Sequence, residues 1–195
     1  GGYEFLGKRH TVCPGAGECF NICYAQQGTF RFKGSRKVRT LNHQALLRLH
    51  KSDPYAVVES LDSLVKKLPK TVAVVRLHDS GDFFSKWYVK AWLQVIRDNP
   101  EILFYAYTKS HPMFAGLSVP SSLRITSSYG GIWDDKIAGP SANILSTVAD
   151  RIRGGYVDGN ESDMPAILGV PNIGLVYHGG RNLTDEQKTT FSVGV

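Results

Sequence analysis

Cysteine is scarce in this chain and unevenly placed: among 195 residues it occurs only at positions 13, 19 and 23. Such a pattern excludes the disulfide framework of a small secreted domain. No apolar run approaches the roughly 18 residues that a membrane-spanning helix requires, so no membrane partner is expected. No signal peptide is visible, and reduced thiols point to a reducing cytoplasm. There is no internal repeat and no low-complexity tract, which argues against a solenoid or a disordered array. Acids are outnumbered, 17 Asp and Glu against 23 Lys and Arg, for a formal net charge of +6 and a pI of about 9.2. A surplus of that sign favours phosphate-bearing or nucleic-acid partners. Its densest stretch is Arg31-Phe-Lys33-Gly-Ser-Arg36-Lys37-Val-Arg39. Residues 31–39 read equally well as a nucleic-acid contact and as a solvated strip.

What the chain does have is enough apolar material for a core, 42% hydrophobic and 11% aromatic residues. Its length suits one domain. We read residues 1–195 as a single α/β unit: 1–40 carries the cysteine loop and the basic segment, and 41–195 forms the core. Asn42 to His50 has the pattern of a short helix. Asp53-Pro54 is an N-cap followed by proline at the first helical position, and Val58, Leu61, Val65 and Leu68 continue an amphipathic helix. Thr71 to His78 is a nearly continuous apolar run, as in a strand buried on both faces. Ser85 caps a helix with Tyr88, Ala91, Trp92, Val95 and Ile96 on one side. Further strands are expected at 102–108, 122–127, 143–148 and 173–178, with a Gly-rich loop at 153–163. Strands separated by helical stretches predict a mainly parallel sheet, either open or an incomplete barrel.

Most of these strands end in polar clusters, where parallel α/β folds gather ligands. The exits are Arg76-Leu-His78-Asp79-Ser80-Gly81-Asp82, Tyr107-Thr108-Lys109-Ser110-His111, Thr126-Ser127-Ser128-Tyr129-Gly130-Gly131 and Tyr177-His178-Gly179-Gly180-Arg181. Each taken singly is compatible with ordinary turn and cap chemistry. Together they nominate His78, Asp82 and Lys109 as catalytic groups. Ser80, Gly81, Asp82, Tyr107, Ser127, Ser128 and His178 are the cofactor-binding candidates.

The cysteines, spaced Cys13-x5-Cys19-x3-Cys23 in a segment of small residues, suit a metal centre better than a disulfide. Three thiolates can hold three irons of a [4Fe-4S] cluster and leave the fourth open. Clusters usually have four cysteine ligands, so the missing one is informative. A zinc site completed by His10 is the rival, although a five-residue gap fits common zinc spacings poorly. Three reduced, metal-free cysteines are the third reading.

Four separated motifs carry a resemblance. Cys13-Pro-Gly-Ala16, Cys23-Tyr24-Ala25, Arg76-Leu-His-Asp-Ser-Gly-Asp-Phe83 and Phe104-Tyr-Ala-Tyr-Thr-Lys-Ser110 are similar to the phage gene product eighty-eight family over roughly residues 10–130. That family's function is poorly defined. More distantly, the three-cysteine loop resembles that of radical S-adenosylmethionine enzymes. This second likeness implies a [4Fe-4S] cluster on Cys13, Cys19 and Cys23. It also implies S-adenosylmethionine near Ser80-Gly81-Asp82 and Thr126-Ser127-Ser128. The usual three-then-two spacing is five-then-three here.

Three functions follow as expectations. One is a minimal radical enzyme. Another is a hydrolase or lyase using the open iron as a Lewis acid, with His78 as acid/base and Lys109 or Arg181 holding an anionic small-molecule substrate. The last is a non-catalytic redox or nucleic-acid-binding protein.

Overall fold

The computed structural model describes residues 3–177, and in it the apolar runs become strands while the amphipathic stretches become the helices between them. The chain opens with an antiparallel hairpin of β1 (Tyr3–Phe5) and β2 (Lys8–His10). Three short 3-10 turns, Glu18–Phe20, Tyr24–Gln26 and Gly28–Arg31, carry the cysteine segment to α1 (Lys33–Ser52) and α2 (Pro54–Lys66). There follow β3 (Val74–Arg76), α3 (Lys86–Asp98), β4 (Leu103–Thr108), β5 (Leu123–Ser128) and β6 (Ser141–Leu145). The described chain closes with α4 (Val148–Arg153), β7 (Val157–Asp158), α5 (Met164–Ile167) and β8 (Ile173–Val176).

Strands β3 to β8 form one sheet in the order β3-β4-β5-β6-β8-β7, every neighbouring pair parallel. Consecutive strands from β3 to β6 lie side by side, which gives the open, half-barrel form of an α/β fold. The strand pleat sorts the side chains. Phe104 and Ala106 of β4 join Val57, Leu61 and Val65 of α2 and Val89, Leu93 and Ile96 of α3 in the main core. Tyr105 points the other way, into a smaller cluster with Ala142, Ala166 and Ile173, against which Tyr107 and Leu175 pack. We call the first the outer face of the sheet and the second the inner face. The helix starts are where their caps place them: Asp53 accepts from the Tyr55 amide at 2.8 Å, and Ser85 from the Tyr88 amide at 3.3 Å.

Several boundaries differ from the sequence reading. The helix expected at Asn42–His50 begins at Lys33, so the basic run is helical. Gly34, Ser35 and the β-branched Val38 and Thr40 are poor helix formers, and they mask that start. The expected buried strand at 71–78 pairs only over Val74–Arg76, and Val74 is 39% exposed. It lies at the sheet edge with a single neighbour, so it is not covered on all sides. The strand expected at 143–148 runs from Ser141 to Leu145, because Thr147 caps α4 by accepting from the Asp150 amide at 3.1 Å. The Gly-rich stretch at 153–163 contains β7, paired in parallel with β8. The last strand ends at Val176, and His178 and Arg181 lie outside the described residues. Among the described residues no helix is long and apolar enough to cross a membrane.

Candidate functional site

The cysteine segment lies across the C-terminal rim of the parallel strands, held mainly by its backbone. The amides of Gly17 and Cys19 donate to the Gly130 carbonyl at 3.2 and 3.0 Å, and the Ile132 amide donates to the Gly15 carbonyl at 3.0 Å. The Asp82 amide donates to the Val12 carbonyl at 2.8 Å, and the Tyr24 hydroxyl donates to the Asp79 carbonyl. The segment is thereby tied to the exits of both β3 and β5. Two glycines allow so close an approach. Gly130 has φ +90°, and a Cβ there would sit 3.2 Å from the Cys19 Cβ; a Cβ on Gly15 would sit 2.5 Å from the Lys109 carbonyl oxygen.

Electrostatically the Cys13 thiol is coupled to the other two. Burial pushes the Cys13 thiol up to about 12, and the Asp82 carboxylate and the thiols of Cys23 and Cys19 push in the same direction; the Lys109 ammonium opposes them. Burial also raises Cys19, while Lys109 and the Gly17 amide favour its thiolate. Asp82 is buried and accepts from the Thr108 hydroxyl at 2.5 Å, the Lys109 amide at 2.8 Å and the Phe83 amide at 2.7 Å. Burial raises its carboxyl, and these three donors act against the shift. The Lys109 ammonium donates to the Ser128 hydroxyl at 2.6 Å. Asp82, Lys109, Ser128, Cys13 and Cys19 thus interact, and Cys23 is coupled to the other two thiols. Ser127 is buried beside Ser128, with its amide donating to the Pro140 carbonyl at 2.9 Å.

Below this rim the inner face is polar and aromatic. The Arg76 guanidinium lies 5.3 Å from the centre of the Tyr107 ring and pairs with Asp163 at 2.8 Å. The Tyr105 hydroxyl donates to the same Asp163 oxygen at 2.8 Å. Burial, then the Asp163 carboxylate, pushes the Tyr105 phenol up to about 12. The sequence reading missed Tyr105 and Asp163. The available signal was periodic: Tyr105 and Tyr107 alternate with Phe104 and Ala106 on β4.

Other nominated residues sit elsewhere. His78 adopts a left-handed backbone, φ +61°, and its ring stands edge-on to Phe83 with centroids 4.4 Å apart. Its Nε2 lies 3.3 Å from the Tyr88 hydroxyl, and burial lowers its pKa to about 4. It thus packs on the main core rather than among the thiols. Ser80 accepts from Arg39 of α1 at 3.4 Å, and Gly81, at φ +85°, makes the turn that delivers Asp82. His10 is turned into the hairpin: its Nε2 lies 3.1 Å from the Phe5 carbonyl oxygen, and its ring packs on Tyr3 and His43. Within the basic run, Arg39 points inward, bonding the Ser35 and Phe30 carbonyls and lying over the Phe30 ring.

Among the described residues no group of three or more His, Cys, Asp or Glu side chains is arranged to hold a metal ion. A structural zinc site needs four ligands converging on one ion, and His10 is engaged elsewhere. A cubic cluster makes a different demand, because each thiolate holds a different iron of an extended body. Three soft thiol donors on a backbone-anchored loop, with a lysine ammonium to offset thiolate charge, fit a cluster in donor chemistry.

Comparison with known proteins adds the family context. The model of the family described as gene product 88 matches residues 3–191, which extends the likeness read at 10–130 well into the C-terminal third. The Gene 88 protein of Mycobacterium phage L5 is 36% identical over 104 residues, covering 50% of this chain and 42% of the phage protein. The Gene 88 protein of Mycobacterium phage D29 is 35% identical over 104 residues with the same coverage. The match thus spans less than half the length of these curated relatives. No solved structure matches significantly.

Proposed function

The chain belongs to the gene product 88 family, and on that footing we propose that it is an iron–sulfur protein whose Cys13, Cys19 and Cys23 hold a [4Fe-4S] cluster with one iron free of protein thiolate. The carrying observation is that backbone bonds fix the cysteine segment on the C-terminal rim of a parallel sheet, with Lys109 beside Cys13 and Cys19 and with Cys23 coupled to both. Ligands collect at such rims because loops there can present groups without disturbing the core. When bound, such a cluster supplies either an electron to S-adenosylmethionine or a Lewis-acidic iron to a polar substrate.

The remaining roles belong to the chain's own residues. Asp82 locks the β3 exit to the β4 exit through the two hydrogen bonds it accepts from Thr108 and Lys109, and its own amide holds Val12 ahead of the cysteines. Lys109, oriented by Ser128, offers a cation to a carboxylate or phosphate of a small-molecule ligand. Arg76 and Tyr107 extend that surface along the inner face. S-adenosylmethionine is the cofactor to test first, with Tyr107, Ser127, Ser128 and Asp82 nearest its proposed place. The proposed setting is the cytoplasm of a phage-infected or bacterial host.

Anaerobically purified protein should be brown and carry about four irons and four sulfides per chain. Cys13→Ala, Cys19→Ala and Cys23→Ala should each abolish loading. Zinc in place of iron, or full iron content in any of these variants, overturns the proposal. Reduced, loaded protein given S-adenosylmethionine should change its electron paramagnetic resonance spectrum and release 5′-deoxyadenosine. If neither occurs while cysteine-dependent hydrolytic or lyase turnover persists, the Lewis-acid form of the proposal stands instead.

A further inference from the structure

Helix α1 is the longest helix of the described chain, and it contains no acidic residue. Its twenty residues include six cations: Lys33, Arg36, Lys37, Arg39, Arg48 and Lys51. Twenty-three Lys and Arg less these six leaves seventeen, equal to the seventeen Asp and Glu of the whole chain. The net charge of +6 thus equals the charge of one helix.

The distribution around the helix is equally one-sided. At about 100° per residue, Lys33, Lys37, Arg48 and Lys51 fall within about 60° of one another, and all four are exposed. Arg36 is exposed on the shoulder of this stripe, while Arg39 is turned inward. The opposite side carries the packing: His43 is buried against Tyr3 and Phe84, and His50 stacks on Trp87. At about 1.5 Å per residue the stripe runs for about 27 Å. The hairpin packs alongside, with Arg48 over the Phe5 ring at 4.9 Å, and adds the exposed Lys8 and Arg9.

An ordinary solvated helix intersperses both signs, as α2 does where Lys66 pairs with Asp62 one turn away. On α1, Lys33 and Lys37 are instead like charges at i, i+4, an arrangement that opposes helix formation. Nothing on this helix offsets that repulsion, and a polyanionic partner would relieve it. A straight row of cations about 27 Å long complements a regular row of phosphates, spaced 3.4 Å apart along each strand of a duplex. We infer that the exposed face of α1, with the β1–β2 hairpin, is a sequence-independent binding surface for the phosphate backbone of duplex nucleic acid.

The test uses the full 195-residue chain and a fluorescein-labelled 25-base-pair DNA duplex of arbitrary sequence, read by anisotropy across a salt series. Affinity should fall steeply with salt. Replacing Lys33, Lys37, Arg48 and Lys51 together by Gln, which keeps helix propensity, should weaken binding at least tenfold at low salt. It should also flatten the log–log salt slope by about 3–4, close to one unit for each lost phosphate contact. Circular dichroism of this variant should remain that of the wild type. A control with Lys67, Lys70, Lys90 and Lys136 changed to Gln removes the same charge elsewhere and should bind almost as the wild type does. The inference is overturned by any of three results: no wild-type binding at low salt, equal loss in both variants, or equal binding to vesicles of anionic phospholipid. A misfolded stripe variant would shift the comparison to the Lys37→Gln and Arg48→Gln single changes, each expected to flatten the slope by about one unit.

Discussion

The two faces of β4 differ more than any two surfaces one residue apart should. On the outer side Phe104 and Ala106 are fully buried beneath α2 and α3, in a cluster of aliphatic and aromatic groups. On the inner side Tyr105 and Tyr107 carry hydroxyls and face an arginine and an aspartate, and Tyr105 shares its cluster with only three other buried residues, Ala142, Ala166 and Ile173. One face secures the fold and the other is free to hold chemistry. Long helices α2 and α3 cover the outer side, whereas on the inner side the short α5 contributes Ala166.

Breaking the outer face should have the largest effect. Phe104→Ala leaves a cavity where a fully buried ring stood, with an expected loss of about 3–5 kcal/mol in chemical denaturation. Next comes the rim that joins the two faces. Gly130→Ala forces an L-residue to φ +90° against the Cys19 Cβ. It should cost about 1–3 kcal/mol, and iron retention should fall while the main core melts cooperatively. An acid effect of similar size belongs to the outer side. In folded His78 burial lowers the pKa to about 4, from an ordinary imidazole value of about 6.5. Between those values the unfolded chain binds more protons, so stability falls as pH drops from about 6.5 to about 4. His43 behaves in the same way, also near 4, first through burial and then through His10. His78→Asn keeps a residue that tolerates a left-handed backbone. It should remove a large part of the loss measured between pH 7 and pH 4, up to about 3 kcal/mol. The smallest stability change is expected on the inner face. Arg76→Met breaks a partly exposed ion pair and should alter stability by less than about 1 kcal/mol. If the inner face binds ligand, the same change should weaken ligand binding tenfold or more. A large thermal destabilisation with unchanged binding would erase the distinction between the faces.

The sequence made the outer face legible and the inner face largely not. Tyr88, Ala91, Val95 and Ile96 repeat at helical spacing, and Ser85 marks the start of α3, so that helix could be read directly. β4 is legible within a residue of its ends because buried parallel strands are continuously apolar, and β5 equally so although only Leu123 and Ile125 of it are apolar. The basic helix was missed over its first nine residues, where Gly34 and Ser35 hide the period. At the site, the spacing of thiols and the polar strand exits indicated Asp82, Lys109 and Ser128. Spacing could not reveal that Asp163, 87 residues beyond Arg76, returns to pair with it. Nor could it show that His78 turns inward, since that depends on a backbone angle rather than on residue type.

Because the cysteine segment is fastened largely through main-chain amides and carbonyls, with buried Ile22 and the Tyr24 hydroxyl as side-chain ties, its position depends little on its exposed side chains. Glu18, Phe20 and Asn21 are free to vary in a way that Gly15, Gly130 and the three cysteines are not. Evolution can therefore retune the surroundings of the thiols, in charge, bulk and polarity, by point substitution without moving the thiols themselves. A randomised library at those three positions would sample reactivity rather than foldedness, which makes this short stretch the natural place to begin engineering the chain.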